Sequence, residues 1–369
     1  MNPRRFDKKE NAMELKPQQQ EAVDAALAWY KNRPTEPFLI CGAAGTGKTV
    51  TLTTLARLIP QSEVIAFTGK AASVLRKKGV HRATTIHRAI YHYLGEKDDD
   101  LQFEKQRDTG AKCFMVDECS MVNQKIMDDL QSFGIPILLV GDYNQLPPVS
   151  DKKFIIDDPD YVLTEIIRQG KGSPIIDLAW RIKAGEHLKP YHEENEEGSV
   201  EVKFLNGSPW LNDGSEIVLC GRVETRKRIN RMYREKLGYN NTINAGDRII
   251  CSYNNQHLGV VNGMPFTVTK ADCPWDTRIA EIEVDSDGHR RKFSIWTPSL
   301  ESLKHEKVPQ EIMEAQFAYG LTVHKAQGSE WDSVSVIATN SEYQWMREDA
   351  RKWLYTAVTR AKKKLIVYI

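Results

Sequence analysis

The sequence predicts an α/β protein with two parallel-sheet cores, and three observations carry that reading. Apolar runs of strand length alternate with segments of helical period, the pattern of crossover connections. The runs fall into two groups, 38–41, 64–67, 113–116 and 137–140 early in the chain, then 217–220, 334–338 and 365–368 late. Between the late strands, residues 245–307 break the pattern: runs at 248–253, 265–270, 279–284 and 292–296 are short and punctuated by Asn/Gly, Cys-Pro and Asp-Gly turns. That spacing predicts a small antiparallel β-domain inserted into the second core.

The elements follow in order. Residues 1–13 are polar and charged and read as a disordered lead-in. The first core is expected over 14–172 and the second over 173–369. Within the first, residues 89–111 form a shorter insertion. Its turn at 95–100 lies between arms bearing Tyr91, Tyr93 and Phe103, which predicts a projecting hairpin. In the second core, Ile229, Met232, Tyr233 and Leu237 give 226–237 a helical stripe. The acidic runs 193–197 and 98–100 read as solvated surface.

Bulk composition narrows the classes. A chain of 369 residues has room for two or three domains. Charged residues make up 27% yet the formal net charge is +1, so no global field draws nucleic acid or membrane and any basic surface is local. The six cysteines show no CxxC pair and read as reduced thiols of a cytoplasmic protein, in a bacterium or a phage-infected host. No run reaches transmembrane length and no signal peptide is visible.

Chemistry concentrates in a few segments. Gly42-Ala43-Ala44-Gly45-Thr46-Gly47-Lys48-Thr49 has phosphate-loop spacing. It follows an apolar strand and precedes a helix marked by Leu52, Leu55, Ala56 and Ile59. Gly42, Gly45 and Gly47 let backbone amides close around phosphate at a helix N-terminus. Lys48 is expected on the β- and γ-phosphates of ATP and Thr49 on Mg²⁺. Asp117 and Glu118 end a buried strand, where an Asp supports Mg²⁺ and a Glu activates water. After the next strand, Gln145 in Gly141-Asp142-Tyr143-Asn144-Gln145 is suited to sensing a γ-phosphate or its water. Arg168 and Arg360 are candidates for stabilising transition-state charge.

In this order the segments resemble superfamily 1 helicases, with similarity to the RecD-like and Dda-like branch. Leu15 to Val23 resembles the adenine-reading Gln motif, with Gln19 at the Gln position. Ala66-Phe67-Thr68-Gly69-Lys70 resembles motif Ia, Thr84-Thr85-Ile86-His87 motif Ib, and Asp117-Glu118-Cys119-Ser120-Met121 motif II. Residues 141–149 match motif III, 320–331 motif V and 355–361 motif VI. The resemblance covers the chain from about residue 14 onward. It implies two RecA-like cores with ATP between them, single-stranded DNA across their top, and a Src-homology-3-like barrel as the insert in the second core. It also implies that Glu330 contacts the ribose, that Gly328 lies at the phosphates, and that Arg168 and Arg360 close the site. Thr322 and His324 of motif V fall on the DNA side by the same carry-over. Phe67 stands where the branch usually has Pro, and Phe is more typical of 3′–5′ relatives; the longer motifs and the two insertions favour 5′-to-3′ movement.

DNA binding also has its own argument. Between Gly69 and Gly95 there are six Lys/Arg residues, Lys70 among them, and no acid. These can neutralise phosphates while Thr68, Thr85 and His87 hydrogen-bond the backbone. Expected partners are single-stranded and tailed duplex DNA, and a single-strand-binding protein or replisome component; a monomer acting in replication, recombination or repair fits this reading. Two alternatives stand beside it. One is an ATP-clamped DNA-binding or assembly protein without unwinding activity. The other is a GTPase, from Thr269-Lys270-Ala271-Asp272 and Asp285-Ser286-Asp287-Gly288, which lie in the insert and in the wrong order.

Overall fold

The computed structural model describes residues 15–32, 35–97, 100–147, 158–166, 172–239, 242–253, 255, 257–260, 262–273, 278–286, 289–302 and 308–369. The first core starts with α1 (Pro17–Lys31), β1 (Phe38–Gly42), α2 (Lys48–Leu58), β2 (Ser62–Ala66) and α3 (Gly69–Lys77). It continues through β3 (Thr84–Thr85), α4 (Ile86–Ile90), the hairpin β4 (Tyr91–Lys97) and β5 (Asp100–Lys105), then β6 (Cys113–Asp117), α5 (Gln124–Gln131), β7 (Ile137–Gly141) and β8 (Tyr161–Leu163). Six strands form one sheet in the order β3-β2-β6-β7-β1-β8, with every pair parallel. Alternation along the strands divides the side chains between two faces. Phe38 and Ile40 pack with Val23, Leu52, Leu55 and Leu75 of α1 to α3. Leu39 and Cys41 pack with Ile86, Ile90, Ile126 and Leu130 of α4 and α5 on the other side.

The hairpin β4–β5 leaves this core after α4. Its base is fixed: the Tyr91 hydroxyl donates to Asp129 of α5, Lys105 Nζ donates to Ser132 at 2.6 Å, and Gln106 N closes on Ile90 O at 2.8 Å. The second core contains α6 (Pro174–Lys183), β9 (Tyr191–Asn195), β10 (Gly198–Lys203), β11 (Ile217–Cys220) and α7 (Val223–Lys236). The insert follows with β12 (Arg248–Cys251), β13 (Pro265–Asp272), β14 (Ile279–Ser286), β15 (His289–Trp296), β16 (Ile312–Met313) and β17 (Ala315–Phe317). The chain then re-enters the core as β18 (Gly320–Thr322), α8 (Val323–Ala326), β19 (Trp331–Ile337), α9 (Asn340–Tyr343), α10 (Ala350–Val358) and β20 (Ala361–Tyr368). The sheet order is β18-β11-β19-β20-β10-β9, parallel except for β9 against β10.

The insert is one six-stranded sheet, ordered β16-β15-β14-β13-β12-β17 and antiparallel except between β15 and β16. Its two edge strands are separated in sequence only by Glu314. The sheet therefore curls until its ends adjoin, enclosing Phe266, Ile282, Phe293 and Ile295. Strands β16 and β17 lie beyond residue 307, the limit that turn spacing suggests, because two- and three-residue strands leave no periodic signal.

Both connectors to the insert are clamped. Asp247, fully buried, accepts from Arg234 Nε at 3.1 Å, Tyr319 Oη at 3.0 Å and Asn244 N at 2.8 Å. The Asn230 side chain accepts from Tyr319 N at 3.0 Å and Gly320 N at 2.8 Å, and donates to Phe317 O at 3.1 Å. Five of the cysteines are buried free thiols; Cys273 is half-buried. Among the described residues no helix is long and apolar enough to cross a membrane.

Candidate nucleotide site and nucleic-acid track

The phosphate loop joins β1 to α2 as its spacing requires, with Gly45 and Gly47 at φ 83° and 82°, conformations that glycine adopts without steric cost. Gly42 is constrained by space instead: a Cβ there would sit 2.4 Å from Thr46 Oγ1. Lys48 Nζ donates to Gly42 O at 2.8 Å and Ala43 O at 3.0 Å, and lies 4.0 Å from Asp142 Oδ2. Thr49 is half-buried one residue into α2. Gln19, 1% exposed, accepts from Lys16 N at 3.0 Å and donates to Gly47 O at 3.2 Å, so the Gln motif is latched directly to the loop.

Asp117 ends β6, and Glu118 adopts a left-handed conformation at φ 53°. For a residue with a Cβ that conformation costs energy and marks a constrained, functional position. Asp117 Oδ1 accepts from Glu118 N at 3.0 Å, while Glu118 Oε2 is buried without a hydrogen-bond partner. Burial pushes the Asp117 carboxyl up from its usual range, with the neighbouring Glu118 charge adding to the effect.

The second core reaches across to this site through Tyr355, Thr356 and Gln327, and the pair Tyr355–Asp142 was not singled out by motif spacing. Tyr355 Oη donates to Asp142 Oδ2 at 2.7 Å and accepts from Ala44 N of the phosphate loop at 2.8 Å. Asp142 is fully buried and holds Asn144 through its other oxygen, from N at 3.0 Å and Nδ2 at 2.9 Å. Beside it, Leu146 N donates to Thr356 Oγ1 at 2.9 Å and Leu146 O accepts from Gln327 Nε2 at 2.7 Å. Motifs III, V and VI thus meet at one seam. An Asp inside an otherwise uncharged turn and a Tyr at the head of the last motif were the available signals. Gln145, 5% exposed, sits in that seam. Arg360 is 4% exposed, and among the described residues its guanidinium donates within the second core, to Thr356 O, Ser329 O and Thr359 Oγ1. Glu330 is exposed. Arg168 lies outside the described residues.

A row of threonines runs along the strand ends. Thr68 accepts from Ala71 N at 3.2 Å to cap α3, Thr85 from Arg88 N at 3.4 Å to cap α4, and Thr322 from Lys325 N at 3.4 Å to cap α8. β2 and β3 are neighbours with Ala66 opposite Thr85, so Thr68 follows two residues beyond that pair. Gly328 faces Thr68 from the second core: its φ is 70°, and a Cβ there would lie 2.9 Å from Thr68 Oγ1. Lys70 Nζ sits 4.5 Å from the Trp331 ring centroid, a second contact between the cores. Phe67 is half-buried against the apolar face that holds Ile86 and Val116. It packs edge-on to His87 at 6.2 Å, and His87 in turn meets Tyr91 at 5.7 Å. Burial holds His87 and His324 below the ordinary histidine value.

Two parallel-sheet cores clasping a phosphate loop at a shared seam define a P-loop nucleotide-binding protein of the two-core kind. Residues 14–203 match the family model described as an AAA domain, and residues 317–368 match the UvrD-like helicase C-terminal domain. The first match spans more than half of the chain, which belongs to this AAA-domain family. Among curated relatives, the ATP-dependent RecD2 DNA helicase of Deinococcus radiodurans is 27% identical over 358 residues, covering 88% of this chain and 46% of that protein. The chain thus spans less than half the length of this relative. Among solved structures, Bacteroides Pif1 bound to single-stranded DNA superposes with a TM-score of 0.61 at 19% identity, covering 97% of this chain and 92% of the other. Pif1 helicase from Candida albicans gives 0.56 at 17% identity, over 96% and 94%.

Proposed function

We propose that this chain is an ATP-driven single-stranded DNA translocase and DNA helicase that moves 5′ to 3′. The observation that carries the reading is the seam: the loop that would hold the phosphates is itself held by a hydroxyl of the opposite core, through Tyr355. A ligand on that loop therefore acts on the contact between two bodies, which is how hinge closure converts binding into movement.

The residues present fit Mg·ATP. Lys48 exchanges its two carbonyl partners for phosphate oxygens, and Gln19 reads the base. Thr49 and Asp117 offer two oxygen ligands, the small protein share that Mg²⁺ takes when phosphates and waters supply the rest. Held there by Thr49 and Asp117, Mg²⁺ would supply positive charge against the phosphates. Glu118, with an unpartnered buried oxygen, orients the attacking water and accepts its proton. Gln145 senses the γ-phosphate, Arg360 and Arg168 stabilise the transition-state charge from the second side, and Gly328 and Glu330 meet the nucleotide.

Thr68, Thr85 and Thr322, with Lys70, His87 and His324, form the DNA track. Three capped helix starts along one ridge place backbone amides where phosphates pass. The hairpin at 89–111 serves as a strand-separating pin, and the curled insert corresponds to the Src-homology-3-like barrel. Action in replication, recombination or repair, as a cytoplasmic monomer with a single-strand-binding partner, completes the proposal. ATP turnover measured with and without single-stranded DNA, followed by unwinding of 5′-tailed and 3′-tailed duplexes, tests it. Turnover indifferent to DNA overturns the translocase reading, and unwinding of the 3′-tailed duplex alone overturns the polarity.

A further inference from the structure

A cationic cluster away from the nucleotide seam has more positive than negative charge, Glu301 being the acid near Arg226. Arg226 on α7 is 1% exposed, and Nη1 donates to Gln316 Oε1 at 2.5 Å. Lys325, next to the DNA-track His324, donates to the same oxygen at 3.1 Å. Two buried cations thus share one neutral acceptor, an arrangement that is costly in a low-dielectric setting. Their proximity is felt: burial, followed by the Arg226 charge, lowers Lys325 to about 8. Arg226 Nε and Nη2 are buried and have no hydrogen-bond partner. Two buried guanidinium donors left unmade call for a partner.

The place for that ligand adjoins them. Arg226 lines a cavity of about 190 Å³ between α7 and the insert, together with Lys227, Arg231, Arg234, Glu235 and Glu301. At roughly 30 Å³ per water, it has room for a tetrahedral oxyanion or two. Two of the lining charges are already engaged: Arg234 with Asp247 at 3.1 Å, and Arg231 with Glu235 at 3.8 Å. Arg226 and Lys227 remain to face an incoming group, with the acid Glu301 beside them, so the remaining lining carries one net positive charge. The helix supports the same sign of ligand, since α7 carries six Lys/Arg against two acids.

We infer that this cavity is an anion site for a phosphate group, with Arg226 as its fork and Lys227 at its rim. A guanidinium edge offering Nε and Nη2 in parallel is the geometry that takes two oxygens of one phosphate. The phosphate has two possible sources: a free inorganic anion, or the backbone of a nucleic-acid strand laid along α7 outside the threonine track. Either would couple the insert to motif V, because Gln316 belongs to β17 and Lys325 to α8.

Broadening of the ³¹P resonance of inorganic pyrophosphate by the full chain tests this, in a Lys48→Ala background that silences the phosphate loop. The expectation is that Lys48→Ala still binds pyrophosphate and that adding Arg226→Met raises Kd at least about tenfold, the scale of a lost charge-assisted hydrogen bond. Lys227→Glu, on an exposed residue that folding does not need, should weaken binding in the same direction and covers the case in which Arg226→Met fails to fold. Loss of all binding in Lys48→Ala alone, or binding unaffected by both further substitutions, overturns the site. In a final arm, an unlabelled single-stranded oligonucleotide is titrated in. Competition with pyrophosphate identifies the strand backbone as the source, and no competition identifies the free anion.

Discussion

Removing one oxygen atom from Tyr355 tests the seam directly. Tyr355→Phe deletes the hydroxyl that donates to Asp142 at 2.7 Å and accepts from Ala44 N at 2.8 Å, leaving the ring in its buried place. The two losses differ in weight. Ala44 is half-buried, so water can take over its amide and little is lost there. Asp142 is fully buried, and its Oδ2 keeps only Lys48, at 4.0 Å. A hydrogen bond to a charged group is worth about 1.5–3 kcal/mol. If the hydroxyl holds the cores in register for turnover, this converts to about 10- to 150-fold in kcat at about 1.4 kcal/mol per decade. DNA-stimulated ATP turnover and binding of a fluorescent ATP analogue should be measured together, with the thermal midpoint as a folding control. The expected outcome is a large fall in kcat with analogue affinity changed only a few-fold. Turnover within threefold of the parent in a well-folded variant would show that the bond is packing and not coupling.

Other expectations follow from the same geometry. Glu118→Gln should retain ATP binding while slowing hydrolysis by about 10²-fold or more, the scale of lost general-base assistance; a near-normal single-turnover rate would refute the role. Gly328→Ala places a Cβ against Thr68 at a φ of 70°, which costs about 1–2 kcal/mol. It should weaken DNA affinity and turnover together, and unchanged values for both would mean that the cores separate there freely. Shortening the hairpin by deleting residues 96–101 should impair unwinding more than ATP turnover; equal loss of both speaks against a pin. Acid should also weaken the track. His87 is held below its ordinary 6.5 by burial, so its contribution to stability is complete above about pH 6.5 and declines as pH falls through that value. Thermal midpoints between pH about 6.5 and 5 should fall less steeply in His87→Asn than in the parent, and parallel curves would exclude the assignment.

Much of this was legible in the residues. Strands with five apolar or small residues in a row, such as β7, announce burial on both faces, and the phosphate loop announces itself by glycine spacing. The position of Phe67, packed rather than projecting, followed from its place at the end of an apolar run. What the sequence concealed is of two kinds. Short strands such as β3, β16 and β17 have too few residues to show a period, and tertiary pairing alone defines them. Contacts across the seam join positions more than 200 residues apart: Tyr355 to Asp142 and Thr356 to Leu146 are separated by 213 and 210 residues. No local pattern records such a meeting. Arg360 shows the converse: it stands in the segment that resembles motif VI, yet its hydrogen bonds among the described residues stay within its own core.

The clamps at the base of the insert determine how many parts this machine has. The outgoing chain is tied through Asp247 and the returning chain through Asn230, and Tyr319 binds to both. Only two residues separate β17 from β18. A segment so short and so fully bonded cannot act as a swivel. If the two cores move as proposed, the curled sheet travels with the second core as a single lever arm and the motion falls at the seam. A pair of distance probes between insert and second core would stay constant through a catalytic cycle, and a pair from insert to first core would report every stroke.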